Sequence, residues 1–143
     1  MDRTAGDHVT EYVERIEFWA DGIPIPQGSK SIFRGRLVDS NPRLRAWRAN
    51  VAATAAHELG GRDGFDPDLS LFILMDFYLP RGKTVRRARP NVKPDGDKLI
   101  RAICDSVTTA GVWADDSRVV VHHSEKWYAD DKPGVRVVIG ALA

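Results

Sequence analysis

At 143 residues with 43% hydrophobic side chains, the chain is long enough for one domain with a real core, which excludes global disorder. Its strongest apolar run, 69–79, is interrupted by Asp76 and far too short to cross a bilayer. The opening MDRTAGDHVTEYVER is too polar for a signal peptide, so a cytoplasmic protein without a membrane partner is expected. Lys and Arg number 21 against 20 Asp and Glu, and the resulting net charge of +1 hides a local polarity. The single cysteine, Cys104, excludes an internal disulfide.

Residues 1–10 show no periodicity and are expected to form a mobile tail, leaving 11–143 as the folded domain. Residues 12–20 read as a strand whose apolar content is Val13, Ile16, Phe18 and Ala20. Asp21-Gly22 signals a turn, and Pro24 and Pro26 make 23–27 extended but unfit for a sheet interior. A polar, basic loop at Gly28-Ser29-Lys30 leads to 31–38, read as a second strand or an edge hairpin. Asn41-Pro42 looks like an N-cap followed by proline at the first helical position. Leu44, Trp47, Val51, Ala55 and Leu59 then mark one helical face, closed by Gly60-Gly61. Trp47 on that face is assigned to the core rather than to base stacking, and His57 to structure rather than catalysis. The strand at 69–79 is so apolar that burial on both faces is expected.

Two segments concentrate the positive charge. Residues 30–48 hold six basic side chains and one acid, Asp39; residues 81–93 hold six more and no acid. Segregation of this kind suggests a surface for phosphates, set against the plainer reading of two solvated loops. Lys30 and Arg34 in the first segment are candidate DNA contacts. Arg81, Lys83, Arg86, Arg87, Arg89 and Lys93 in the second, with Lys98 beyond it, complete the set.

The second basic segment runs directly into 93–118, KPDGDKLIRAICDSVTTAGVWADDSR. Leu99, Ile103, Val107 and Ala110 recur at three- and four-residue steps, predicting a helix that stops at Gly111. Cys104 within it is read as a small core residue. Asp95 lies before or at the helix start, while Asp97, Arg101 and Asp105 are four apart and share one face. A second acidic pair, Asp115 and Asp116, precedes the β-branched run 119–121, and a short turn after Gly111 would bring Asp116 back toward the helix. Taken singly, each acid reads as a cap or a solvated turn residue. Taken together, clustered carboxylates repel unless something positive sits among them, and a hard cation such as Mg²⁺ is the usual answer.

Residues 118–128 read as a strand in which the adjacent His122 and His123 point to opposite faces, so both cannot line one metal site. Trp127 and Tyr128 are assigned to core packing. A turn at 130–134 leads to a final strand at 135–139. No internal repeat, zinc spacing, phosphate-binding glycine motif or EF-hand is present.

The acidic stretch resembles the RusA family of Holliday junction resolvases. That family's signature is P-D-x-D-N-L, a Lys three residues after the Asn, an Asp four further on, and D-D before a strand. Pro94, Asp95, Asp97, Leu99, Asp105, Asp115 and Asp116 stand in register, Gly111 and Trp113 also fit, and a looser likeness begins near residue 15. Lys98 stands where the family usually has Asn, and Arg101 where it usually has Lys.

The resemblance implies a homodimer with two equivalent acidic sites that nicks branched DNA, a four-way junction, symmetrically. It implies Mg²⁺ as cofactor, with Mn²⁺ as substitute. Asp95, Asp97 and Asp116 are the expected catalytic and metal-binding residues, with Asp115 as a fourth ligand or support. Arg101 is expected to hold a phosphate oxygen, and Asp105 either to orient Arg101 or to serve the fold. The elements alternate without a clean βαβ rhythm, so the expected fold is α+β: a single domain, a mixed β-sheet with two main helices packed on it, RusA-like. Two rivals remain at this point. One is a catalytically weak or silent branched-DNA-binding module, suggested by the departures at Lys98 and Arg101. The other is a Mg²⁺-dependent nucleotide phosphohydrolase, which would not need two long basic segments.

Overall fold

A computed structural model describes residues 10–28, 30–33, 36–39 and 42–143, with backbone alone at 30–33 and 36–39. Residues 1–9 of the expected 1–10 tail, the side chain of Lys30, Arg34 and the cap at Asn41 lie outside the described residues.

Four strands form the main sheet: β1 (Arg15–Asp21), β4 (Leu71–Leu79), β5 (Val119–Tyr128) and β6 (Gly134–Ala141), in the order β1-β6-β4-β5. The remaining two, β2 (Lys30–Phe33) and β3 (Arg36–Asp39), make a separate antiparallel hairpin. Helix α1 spans Pro42–Leu59 and helix α2 spans Gly96–Thr109. Within the main sheet β1 pairs antiparallel with β6 and β6 with β4, while β4 and β5 run parallel. The architecture is therefore α+β with a mixed sheet and two helices, and it contains one βαβ unit, β4-α2-β5. That unit escapes a reading by rhythm because the long basic segment separates β4 from its helix.

Core placement follows periodicity. The five predicted residues of α1 (Leu44, Trp47, Val51, Ala55 and Leu59) are all buried, and α2 buries Leu99, Ala102, Ile103, Cys104, Ser106 and Val107. Both helices contribute to one core with Leu71, Ile73, Met75 and Phe77 of β4 and Val135, Val137 and Ile139 of β6. Ser106 is the one buried polar residue among those described, and its hydroxyl donates back to the Ala102 carbonyl at 2.7 Å.

The expectation that β4 is buried on both faces is not met. Its inward residues are fully covered, but Phe72, Asp76 and Tyr78 on the other face are half-buried and Leu74 is 38% exposed. The reason is that the core residues of both helices meet the same side of the sheet. The apolar run instead supplies an outer layer, where Trp19 of β1 packs against Tyr78 with ring centroids 5.6 Å apart. Gly140 of β6 makes room in that layer, since a Cβ there would meet the Phe72 ring at 2.6 Å.

Two contacts steer the chain after α2. Gly111 takes φ +78°, the left-handed conformation that ends a helix. The next residue, Val112, accepts a hydrogen bond from Phe65 N–H at 2.8 Å, and Gly64 has no Cβ to collide with that carbonyl. The chain then passes through a 3₁₀ turn, Asp116–Arg118, into β5.

Candidate active site

Helix α2 begins with Asp95 as its cap residue: the Asp95 carbonyl accepts from Leu99 N–H at 3.1 Å. The Asp95 side chain makes no capping hydrogen bond. Its nearest partner is Lys98, with Nζ 3.7 Å from Oδ2 and both side chains nearly half exposed, an arrangement worth little in water. Asp97, in the first helical turn, is exposed and has no hydrogen bond or ion pair among the described residues. Asp116 is likewise exposed and unpaired among them.

Asp115 behaves differently. It caps the 3₁₀ turn, Oδ2 accepting from Ser117 N–H at 3.0 Å, and hydrogen bonding from Ser117 holds its carboxyl below the usual range. The ordinary capping role thus belongs to Asp115 rather than to Asp95. The turn after Gly111 does return Asp116 to α2. Burial is the main cause that pushes the Cys104 thiol up to about 12, and the charges of Asp116 and Asp105 push the same way. A thiol so placed stays protonated and is a core residue, as expected.

Asp105 pairs across the helix interface with Arg48 of α1 at 3.7 Å, not with Arg101. Its one ion pair among the described residues therefore runs to the other helix. Arg101 is exposed and has no protein partner among the described residues, so its guanidinium donors face solvent.

The segment that delivers the chain to Asp95 is pinned by side chains from β5. Lys126 Nζ donates to the carbonyls of Val92 at 2.6 Å and Pro94 at 2.7 Å. Arg89 donates to the Lys126 carbonyl at 2.7 Å and to Glu125 at 3.1 Å, and its guanidinium lies 3.6 Å over the Trp127 ring. Arg87 donates to the Tyr128 hydroxyl at 2.8 Å. Arg81 stacks 4.2 Å over the Tyr128 ring and donates to the Arg87 carbonyl at 2.9 Å. Trp127 and Tyr128 are therefore not simple core residues: half-buried, they form the platform that receives the arginines. Lys83, Arg86 and Lys93 are exposed and make no such contact among the described residues, which leaves their charges available.

His122 and His123 fall opposite Ile73 and Leu74, on opposite faces of the sheet as alternation requires. His123 contacts Glu125 at 3.3 Å on the outer face, away from the α2 side. Sequence reasoning missed Lys126 and Gln27. The Gln27 N–H donates to the Lys98 carbonyl at 2.9 Å, laying the 23–28 segment along the start of α2. Alternation along β5 was the available signal for Lys126, since it places that residue on the opposite face from Glu125 and Trp127.

Among the described residues no three His, Cys, Asp or Glu side chains are grouped as a metal-ligand set. The donor chemistry nonetheless suits a hard cation: the available groups are carboxylate oxygens, and Asp97 and Asp116 have no competing partner among the described residues. Such a cation keeps several waters and needs only one or two carboxylates.

The structure thus sets acids at a helix start directly after a basic segment. The match with known proteins is specific. The family described as Endodeoxyribonuclease RusA matches residues 21–140, and the chain belongs to that family. It is an endodeoxyribonuclease by class. A relative from Aquifex aeolicus (strain VF5), "Crossover junction endodeoxyribonuclease RusA", is 27% identical over 128 residues, covering 89% of this chain and 92% of the relative. No helix among the described residues is long and apolar enough to cross a membrane.

Proposed function

We propose that this protein is a metal-dependent, structure-selective endodeoxyribonuclease that resolves four-way DNA junctions by paired symmetric nicks, acting as a homodimer. The observation that carries this reading is the start of α2. Asp95 and Asp97 stand there without capping bonds, directly after a segment whose Lys83, Arg86 and Lys93 have no partner among the described residues. Membership of the RusA family and the name of the Aquifex relative support the substrate class.

In this reading Asp95, Asp97 and Asp116 hold Mg²⁺, or Mn²⁺ in its place, and Asp115 keeps the turn that presents Asp116. When bound, the cation supplies Lewis acidity, activating water as nucleophile and offsetting charge on the leaving oxygen. The chain's own residues do the rest. Lys83, Arg86 and Lys93 hold backbone phosphates, and Arg101 presents paired N–H donors to a non-bridging oxygen as negative charge develops there. Carboxylates alone would repel the strand, and the surrounding cations reverse that sign. Two such sites related by a two-fold axis match the two equivalent strands of a junction.

Cleavage of a synthetic four-way junction, a linear duplex and a single strand, each in Mg²⁺ or in EDTA, tests the reading. Junction-selective, EDTA-sensitive cleavage whose products can be religated is expected, because symmetric nicks leave ligatable ends. The Lys98–Asp95 contact favours one second reading, a silent junction-binding module in which the ammonium replaces the cation. Tight junction binding without cleavage at any Mg²⁺ or Mn²⁺ concentration would establish that alternative.

A further inference from the structure

Three consecutive residues of β5 grip the approach to α2 from both sides of the sheet edge. On the outer side Glu125 and Trp127 hold Arg89, the first through an ion pair and the second through its ring face. On the inner side Lys126 reaches across to the carbonyls of Val92 and Pro94, 34 and 32 residues away in sequence. The Lys126 backbone carbonyl completes the grip by accepting from Arg89 Nε. The Lys126 stem passes Gly96, where a Cβ would lie 4.0 Å from Cδ, so the ammonium crosses beside the first residue of α2.

A partly buried ammonium requires acceptors, and here both are main-chain carbonyls immediately ahead of Asp95. Its two hydrogen bonds fix the direction in which the chain enters the helix. That direction aims Asp95 and Asp97, whose own side chains have no capping bond to hold them. We infer that Lys126 is a positioning residue for cleavage, holding the 92–94 segment so that the α2 carboxylates face the scissile phosphate. The inference rests on the proposed site at Asp95 and Asp97. It adds a residue outside the acidic motif, on a different strand, that acts without touching substrate. Because the same strand also holds Arg89, the brace links the basic segment to the start of α2.

The test uses the full chain with Lys126→Met, which keeps the stem and removes the donors, alongside Lys126→Gln and Asp97→Asn. Junction binding is read in EDTA across a salt series, cleavage in single turnover on saturated junction, and Mn²⁺ affinity by calorimetry. Lys126→Met should bind junction like wild type with an unchanged salt slope, bind Mn²⁺ more weakly, and cleave about a hundredfold more slowly, the scale of a small misplacement. Lys126→Gln, able to donate to one carbonyl, should fall between the two.

Wild-type cleavage by Lys126→Met while Asp97→Asn is dead would overturn the positioning role and leave the site standing. Wild-type cleavage by Asp97→Asn would remove the site itself and the inference with it. A salt slope lowered by about 0.9 in Lys126→Met would make the residue a phosphate contact instead. Parallel loss of junction binding and cleavage in both Lys126 variants would make it a general fold residue, again against the proposal.

Discussion

Asp95 and Asp115 occupy the same position relative to the turns that follow them, yet only Asp115 caps with its side chain. Spacing made both acids visible in the sequence, and it could not separate them. Capping depends on where the carboxylate points once tertiary contacts fix the approach, and Lys126 fixes that of Asp95. Asp97, without a partner among the described residues, carries the sharper expectation. Asp97→Asn keeps size and helix-start compatibility while removing a charge that both attracts a cation and repels phosphate. Cleavage should nearly vanish while junction binding holds or tightens, as gel shift and single-turnover assays on one substrate would show. Wild-type cleavage would reduce Asp97 to a solvated helix residue.

Arg101 makes the complementary case. Four-residue spacing would allow an ordinary helical ion pair with Asp97 or Asp105, and Asp105 instead pairs with Arg48. With no partner among the described residues to explain it, Arg101 is free to meet a phosphate oxygen. Arg101→Ala should lose about a hundredfold in turnover, comparable to removing one transition-state donor, while Arg101→Lys keeps substantial activity. Binding should change far less than turnover, and a wild-type rate for the alanine variant would leave catalysis to the acids alone.

At the scale of elements, the basic segment divides its cationic side chains between two jobs. Arg81, Arg87 and Arg89 fasten it to Tyr128, Glu125 and Trp127, whereas Lys83 and Arg86 stand free among the described residues. Nothing local in the sequence distinguishes Arg86 from Arg87. The distinction lies in distant partners, such as Tyr128, 41 residues from Arg87, brought close by the parallel pairing of β4 and β5. Helices were legible for the opposite reason: their apolar spacing is local, and all five predicted core positions of α1 are buried.

The two classes of arginine should respond differently to neutralisation. Arg86→Ala should lower the salt slope of duplex binding by about 0.9 without moving the thermal midpoint. Arg89→Ala should lower the midpoint, because it removes hydrogen bonds and a ring contact, and should loosen the segment as a whole. Equal salt slopes for wild type and Arg86→Ala would mean that this side chain never reaches the backbone.

Across the whole molecule, both helices sit on one side of the sheet, and the acids lie at the start of one of them. Asp97 and Asp116 have no protein partner among the described residues, so a cation that binds them only in the native state should stabilise the fold by mass action. Thermal unfolding in several millimolar Mg²⁺ should show a higher midpoint than in EDTA, and calorimetry should detect binding. A flat response in both measurements would count heavily against a cation at these acids. The overall α+β plan was legible from the order of elements. The uneven covering of β4 was not, because an apolar strand reads the same whether a helix or only cross-strand side chains lie over its second face.

The βαβ unit carries a consequence for how the enzyme comes into being. Strand β5 is joined to β4 only through residues 80–118, a stretch that contains the basic segment, α2 and the turn bearing Asp116. Closing so long a connection is entropically costly before any pairing rewards it, and parallel strands gain nothing until their crossover is in place. The β5 edge of the sheet and the start of α2 are therefore expected to assemble in the same step of folding. A nascent chain that has not yet docked β5 has no grip on Arg89 and no clamp on Pro94. On the proposed site, such a copy would lack both an ordered basic arm and an aimed pair of acids, and it should not cut DNA.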